Sequence, residues 1–298
     1  MSTDETSTKA IGKDDGIAVI GLGKMGFPMA RNLRAAGYRV VGFDLTDARR
    51  DAAREVGVEL ADSPAEAVEK TAAALIVVGF DNEVEEVVTA PKTGLLATAP
   101  SGYVITICST VEPKTAVDLA KVAAEKHVQL VDATLCLGEP SAEDGTLLIM
   151  CGGDLATLAR IDPVLKVVGA DVIRLGGVGS GQVGKMLNNY LLWTCVIANY
   201  EAMRLGGRLE LELEPLRQAL MLSSGNNWAL ETWLRSRPMP WAEDDMRIVT
   251  QYADQAKLPM PLGGLVREVM KDIKFHKGAW TEGGGNKSSM DAFTRAHL

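Results

Sequence analysis

Ile17-Ala18-Val19-Ile20-Gly21-Leu22-Gly23-Lys24-Met25-Gly26 reads as a short apolar strand running into a glycine turn. Phe27–Ala36 then carries its apolar residues at helical spacing until Gly37 stops it. A G-x-G-x-x-G between a strand and a helix has a physical logic. The first glycine makes the tight turn, and the second lets backbone touch a pyrophosphate. The third packs the helix onto the strand, with the helix N-terminus facing the anion. Gly21, Leu22, Gly23, Lys24, Met25 and Gly26 are therefore expected to hold a dinucleotide.

Strand and helix alternate from there. Arg39–Phe43 is a second strand ending in Asp44, roughly 20 residues after the glycines. An acid there accepts hydrogen bonds from the adenosine ribose hydroxyls and repels a 2′-phosphate. Asp44, with Leu45 beside it, points to NAD, while Arg49 and Arg50 nearby keep NADP open. Ser63-Pro64-Ala65-Glu66 has the cap, the proline and the capping-box acid of a helix start. Ala74–Val78, Gly102–Ile107 and Val128–Val131 are further strands, with helices expected at Asn82–Val88 and Pro113–Lys126. Thr146–Cys151, Leu155–Val168 and Asp171–Leu175 close the domain as strand, helix and strand. The pattern predicts an α/β fold, a Rossmann-like, doubly wound parallel sheet. Ligands of such sheets lie beyond the carboxyl ends of the strands, which assigns Val78, Gly79, Phe80 and Thr110 to the cofactor. Asp132–Gly138 reads as a turn leaving its strand, and the backbone amides of Cys136, Leu137 and Gly138 suit a substrate carboxylate.

After Gly181 the strand signals end. Gln182 to Gly206 is one long helix, apolar almost all round, as expected of a helix buried between domains or in a subunit interface. Helices follow at Leu213–Ser223, Trp241–Gln255 and Pro261–Lys274, and Gly283–Ser289 has the composition of a flexible tail. The division expected is a disordered leader over 1–15, a dinucleotide-binding domain over 16–177, and an all-α domain over 178–298. The long helix joins the two domains and predicts a homodimer or homotetramer through the helical one. At its start, the glycine run Gly176–Gly184 is followed by Lys185 and Asn189, one helical turn apart on one face.

Composition narrows the function classes. A net charge of -8 argues against a nucleic-acid or anionic-membrane partner. Asn188, Asn189, Asn199, Glu201 and Arg204 interrupt the one long apolar stretch, so no membrane span is expected. The 4 cysteines fall at no disulfide or metal spacing, which suits a reducing cytoplasm, and the 3 histidines form no metal cluster. Cys136 lacks a pairing histidine and reads as a small hydrophobe rather than a nucleophile.

With these residues in view, the chain resembles the β-hydroxyacid dehydrogenases, which include 3-hydroxyisobutyrate and tartronate-semialdehyde reductases. The resemblance rests on Gly21–Leu33, Ser109-Thr110 with Pro113, Val131-Asp132-Ala133, Gly145-Thr146-Leu147, Gly152-Gly153 and the Gly179–Asn189 run. It implies an oxidoreductase moving a hydride between nicotinamide and a hydroxy acid, with Lys185 as catalytic lysine and Asn189 as its substrate-binding companion. A lysine desolvated at a cleft suits acid/base work, because burial favours its neutral form. The chain departs from the family at three places, one of them a shortened segment between Trp228 and Asp244. Cys136-Leu137-Gly138 stands where the family has Ser-Gly-Gly, and Asp244-Asp245 where it has Lys-Asp. Asp244 thereby takes a position that the resemblance places beside cofactor and substrate. These changes imply a less acidic, bulkier or partly cationic substrate, in a pocket flanked by Leu137, Trp193, Trp228 and Trp241. Two alternatives share the scaffold: an imine-reductase-like enzyme, a group that replaces the lysine, and a nucleotide-binding protein without activity.

Overall fold

A computed structural model of the chain describes residues 9–236, 239, 241–277 and 288–298. Most of the expected tail, 283–287, lies outside the described residues, as does 1–8 of the expected leader. The chain divides into two compact units, Met1–Lys185 and Met186–Leu298.

The first unit is built on one eight-stranded sheet in the order β3-β2-β1-β4-β5-β6-β7-β8. Its strands are β1 (Ile17–Ile20), β2 (Val40–Phe43), β3 (Glu59–Leu60), β4 (Ala73–Ile76), β5 (Val104–Ile107), β6 (Gln129–Cys136), β7 (Leu147–Gly152) and β8 (Gly169–Gly176). Its helices are α1 (Gly26–Ala35), α2 (Asp47–Glu55), α3 (Pro64–Val68), α4 (Asp81–Thr89), α5 (Pro113–Glu125), α6 (Gly138–Asp144) and α7 (Leu155–Val168). Strands β1 and β4 are apolar and buried at every position because both faces are covered. In β1, Ile17 and Val19 join one buried cluster while Ala18 and Ile20 join the cluster on the opposite face.

Strands β3 to β6 run parallel, as expected, but β7 runs antiparallel to β6. The reason is the connector Leu137–Thr146, which is short for a parallel crossover. Strand β6 also continues to Cys136, through residues read as a turn. Residues 9–15 pack rather than trail: Ile11 is buried and its N–H donates to Arg160 O at 2.9 Å. Three cysteines of this unit (Cys108, Cys136, Cys151) are buried in or beside the sheet.

Helix α8 (Ser180–Arg208) starts in the first unit and continues into the second. The compact first unit runs on to Lys185 because the first turns of α8 are hydrogen-bonded to β6. The second unit continues with α9 (Leu213–Met221), α10 (Trp228–Glu231), α11 (Ala242–Gln255), α12 (Pro261–His276) and α13 (Met290–Ala296). Its core gathers Trp193, Val196 and Ile197 of α8 with Trp233, Met246, Val249, Val266, Met270 and Phe293. Among the described residues, no helix is long and apolar enough to cross a membrane.

Candidate active site

The glycine turn after β1 separates its three glycines by what surrounds them. Gly21 has φ +97°, and a Cβ there would lie 2.3 Å from Val77 O. A Cβ on Gly26 would lie 1.9 Å from Gly21 O, so the turn and the start of α1 close only on glycine. Around Gly23 the nearest atom is the Arg49 guanidinium, 3.8 Å away. The fold thus uses the outer two glycines for its own packing and leaves the middle one open. That is the cradle a pyrophosphate needs, and the α1 N-terminus supplies the dipole. Leu22 is buried, whereas Lys24 is exposed and pairs with Glu139 at 2.8 Å.

Asp44, at the end of β2, is buried and turned to the same loop. Its Oδ2 accepts from Leu22 N at 2.8 Å and its Oδ1 from Thr46 N at 2.8 Å. Arg49 Nη1 adds a contact at 3.3 Å. Burial pushes this carboxyl up, but the Thr46 and Leu22 N–H groups and Arg49 outweigh it and hold Asp44 below the usual range. A carboxylate has about four lone-pair sites, so acceptor capacity remains for a ribose hydroxyl. Leu45 next to it is 91% exposed. The residues therefore fit a dinucleotide.

At the next strand ends, Val78 N donates to Ser109 Oγ at 2.9 Å and Gly79 N to Glu83 Oε2 at 2.7 Å. Phe80, which precedes α4, is 56% exposed. Thr110 is exposed just past β5.

Beyond β6 the sheet meets the start of α8. Asp132 and Thr134, two apart on the strand, face the same side. Asp132 Oδ1 accepts from Gly179 N at 2.6 Å and Oδ2 from Gln182 N at 2.8 Å. Thr134 Oγ1 donates to Gly181 O at 3.0 Å. Asp132 is fully buried, and burial raises its carboxyl against the lowering effect of these N–H groups. The glycines here serve this approach: a Cβ on Gly181 would lie 2.5 Å from Met150 O, and one on Gly184 2.3 Å from Leu175 Cδ1. One turn further on, Lys185 Nζ donates to Leu135 O at 2.6 Å. Of the three residues expected to meet substrate here, Cys136 is buried, so its thiol is withdrawn. Leu137 is half-exposed with φ +78°, and Gly138 has φ +76°. A left-handed leucine is strained, and such strain concentrates at functional loops.

In the second unit, Asn189 is buried and its Oδ1 accepts from Asn188 Nδ2 at 3.1 Å. Trp193 Nε1 donates to Asp245 Oδ2 at 2.8 Å, so the second acid of the pair is tied to α8. Asp244 stays largely exposed, 3.7 Å from Arg247. Trp241 precedes α11 and is 52% exposed. Among the described residues, no three His, Cys, Asp or Glu side chains are placed to hold a metal ion.

Sequence reasoning gives no role to Asp132 or Gln182. The signal was present: an acid inside an apolar strand and a glutamine between glycines both need buried partners.

Comparison with known proteins comes down on the same features. The profile of the NAD binding domain of 6-phosphogluconate dehydrogenase matches residues 16–177. That of the NAD-binding of NADP-dependent 3-hydroxyisobutyrate dehydrogenase matches residues 179–283. An NAD-dependent L-serine dehydrogenase of Pseudomonas aeruginosa is 37% identical over 258 residues, covering 86% of this chain and 82% of its own. A 2-(hydroxymethyl)glutarate dehydrogenase of Eubacterium barkeri is 34% identical over 269 residues, with coverage of 86% and 88%. Among solved structures, a Mycobacterium tuberculosis 3-hydroxyisobutyrate dehydrogenase with L-serine superposes with TM-score 0.81 at 25% identity, covering 95% and 99%.

Proposed function

The chain belongs to the β-hydroxyacid dehydrogenase family, and on that premise we propose that Lys185 moves the substrate proton and that the substrate is an amino-bearing β-hydroxy acid. The protein is an NAD(P)-dependent oxidoreductase acting on CH–OH groups. When bound, the nicotinamide takes a hydride from the carbinol carbon or returns one. The side chains of this protein do the rest. As the carbon loses its hydride, the hydroxyl oxygen has to give up its proton. The observation that carries the assignment is the 2.6 Å hydrogen bond from Lys185 Nζ to Leu135 O. It fixes the amine at the carboxyl end of β6 and leaves its remaining valences for a substrate oxygen. As free amine Lys185 takes the hydroxyl proton; as ammonium it gives a proton back in the reverse direction. Asn189 offers one amide donor and one acceptor to hold the same end of the substrate without adding charge.

Asp44 supports NAD over NADP, since a buried carboxylate at that strand end repels a 2′-phosphate. Gly21–Gly26, Leu45, Val78, Gly79, Phe80 and Thr110 complete the cofactor residues, and the backbone of Cys136–Gly138 holds the substrate carboxylate. Asp244 supports the amino group: it puts negative charge where the family resemblance places a lysine, and Trp241 adds apolar surface. The relative that acts on L-serine by its name favours the same substrate class. We further propose a cytoplasmic homodimer or homotetramer assembled through the helical domain, a reading supported by free cysteines and by exposed Leu187 and Leu191 on α8.

Initial rates with NAD and either L-serine or 3-hydroxyisobutyrate test the substrate class. L-Serine is expected to have the higher kcat/KM by about tenfold, an ion-pair-sized margin; a preference for 3-hydroxyisobutyrate overturns it. Lys185→Ala is expected to lower kcat by about 10²- to 10⁴-fold with NADH affinity kept. Unchanged kcat removes Lys185 from the role.

A further inference from the structure

Gln182 is 1% exposed, and both ends of its side-chain amide are hydrogen-bonded. Its Oε1 accepts from Val111 N at 3.0 Å, its Nε2 donates to Ser109 O at 2.8 Å, and its N–H goes to Asp132. Partners of opposite kind fix which end of the amide is which. The two groups it grips flank one residue, Thr110, which is left exposed at the carboxyl end of β5. Ser109 is itself held, with its Oγ accepting from Val78 N and donating to Ile76 O at 3.3 Å. On its other side, Gln182 sits in the first turn of α8, three residues before Lys185 on the same helical face.

We propose that Gln182 is a positioning residue: its side-chain amide clamps the backbone on both sides of Thr110 and so sets the placement of Thr110 against the Lys185 turn of α8. The inference rests on the reading of Thr110 as a nicotinamide-side contact. A hydrophobe of the same size would fill the space but leave Val111 N and Ser109 O buried without partners, and the loop would shift to satisfy them. The clamp has no group that reaches solvent, so Gln182 acts through Thr110 and α8 rather than on any ligand.

A double-mutant cycle with Thr110 separates positioning from mere packing. NADH affinity is measured by fluorescence titration on the full chain, without substrate, for wild type, Thr110→Ala, Gln182→Met and the pair. Gln182→Met is expected to weaken NADH binding about five- to tenfold in the wild-type background, the loss of one to two hydrogen bonds. In the Thr110→Ala background it is expected to cost under about twofold, because the contact it positions is gone. Equal losses in both backgrounds, or no loss in either, overturn the proposal. If Thr110→Ala alone leaves NADH affinity unchanged, the Thr110 reading fails instead. Asp154→Ala, which removes the cap of α7 far from the clamp, controls for stability lost without a change in affinity. Should Gln182→Met be recovered only unfolded, Gln182→Asn takes its place in the cycle. Its amide is one methylene too short to reach both partners, and the same two outcomes decide.

Discussion

Asp44 also bears on stability. Its carboxyl lies below the ordinary value of about 4, so the ionised form favours the folded chain. That stabilisation is fully present above the unfolded pKa and is lost as pH falls through the lower folded one. Asp44→Asn is therefore expected to lower the melting temperature near neutrality and to flatten its decline at acid pH. Melting curves between pH 3 and 7 check this, and an acid limb as steep as wild type would count against it. Leu137 makes the opposite kind of prediction. Leu137→Gly removes about 1–2 kcal/mol of left-handed strain and adds about 0.5–1 kcal/mol of unfolded-state entropy. Urea unfolding should show a net gain of roughly 0.5–1 kcal/mol. Residue by residue, the sequence was most legible where one residue type has one use: Gly21 and Gly26 close a turn that admits nothing larger. It was less legible along β6, which runs past Val131 to Cys136, although the reading of Cys136 as a small hydrophobe fits its burial.

At the scale of elements, α8 depends on its anchor. Asp132 accepts from Gly179 N just ahead of the helix and from Gln182 N in its first turn, where N–H groups have no partner within the helix. Asp132→Ala leaves them buried and unpaired, and is expected to cost about 2–4 kcal/mol in urea unfolding and to lower kcat together with stability. Loss of stability with full kcat would show that α8 holds Lys185 without that anchor. Helices with a clear apolar stripe were read to within a residue or two: α7 was found at its full extent, Leu155–Val168. Helix α2, β3 and α6 were missed because they are short and lean on neighbours rather than on propensity. The reversal of β7 could have been read from the length of Leu137–Thr146, which leaves little room for a crossover.

For the whole molecule, the exposed leucines of α8 carry the assembly prediction. Leu187 and Leu191 are 46% and 61% exposed and lie one turn apart on a single face. The chain is expected to elute as a dimer or tetramer in light-scattering chromatography. Leu187→Lys with Leu191→Lys should shift it toward the monomer, whereas a wild-type monomer would overturn the assembly. The two-part architecture was legible because strand signals stop after β8. Hydrogen bonds from β6, invisible in a linear pattern, tie the first turns of α8 to the sheet and carry the compact first unit on to Lys185.

The buried cysteines leave the sheet with built-in reporters. Burial raises the Cys108 thiol, and burial with the Asp132 charge pushes Cys151 up to about 12, so neither forms thiolate at neutral pH. An alkylating reagent reaches them only when the strands part. The rate of labelling at these two sulfurs is then a clock for opening of the nucleotide-binding half. A dinucleotide that grips its glycine turn should slow that clock, giving a measure of occupancy that needs no turnover.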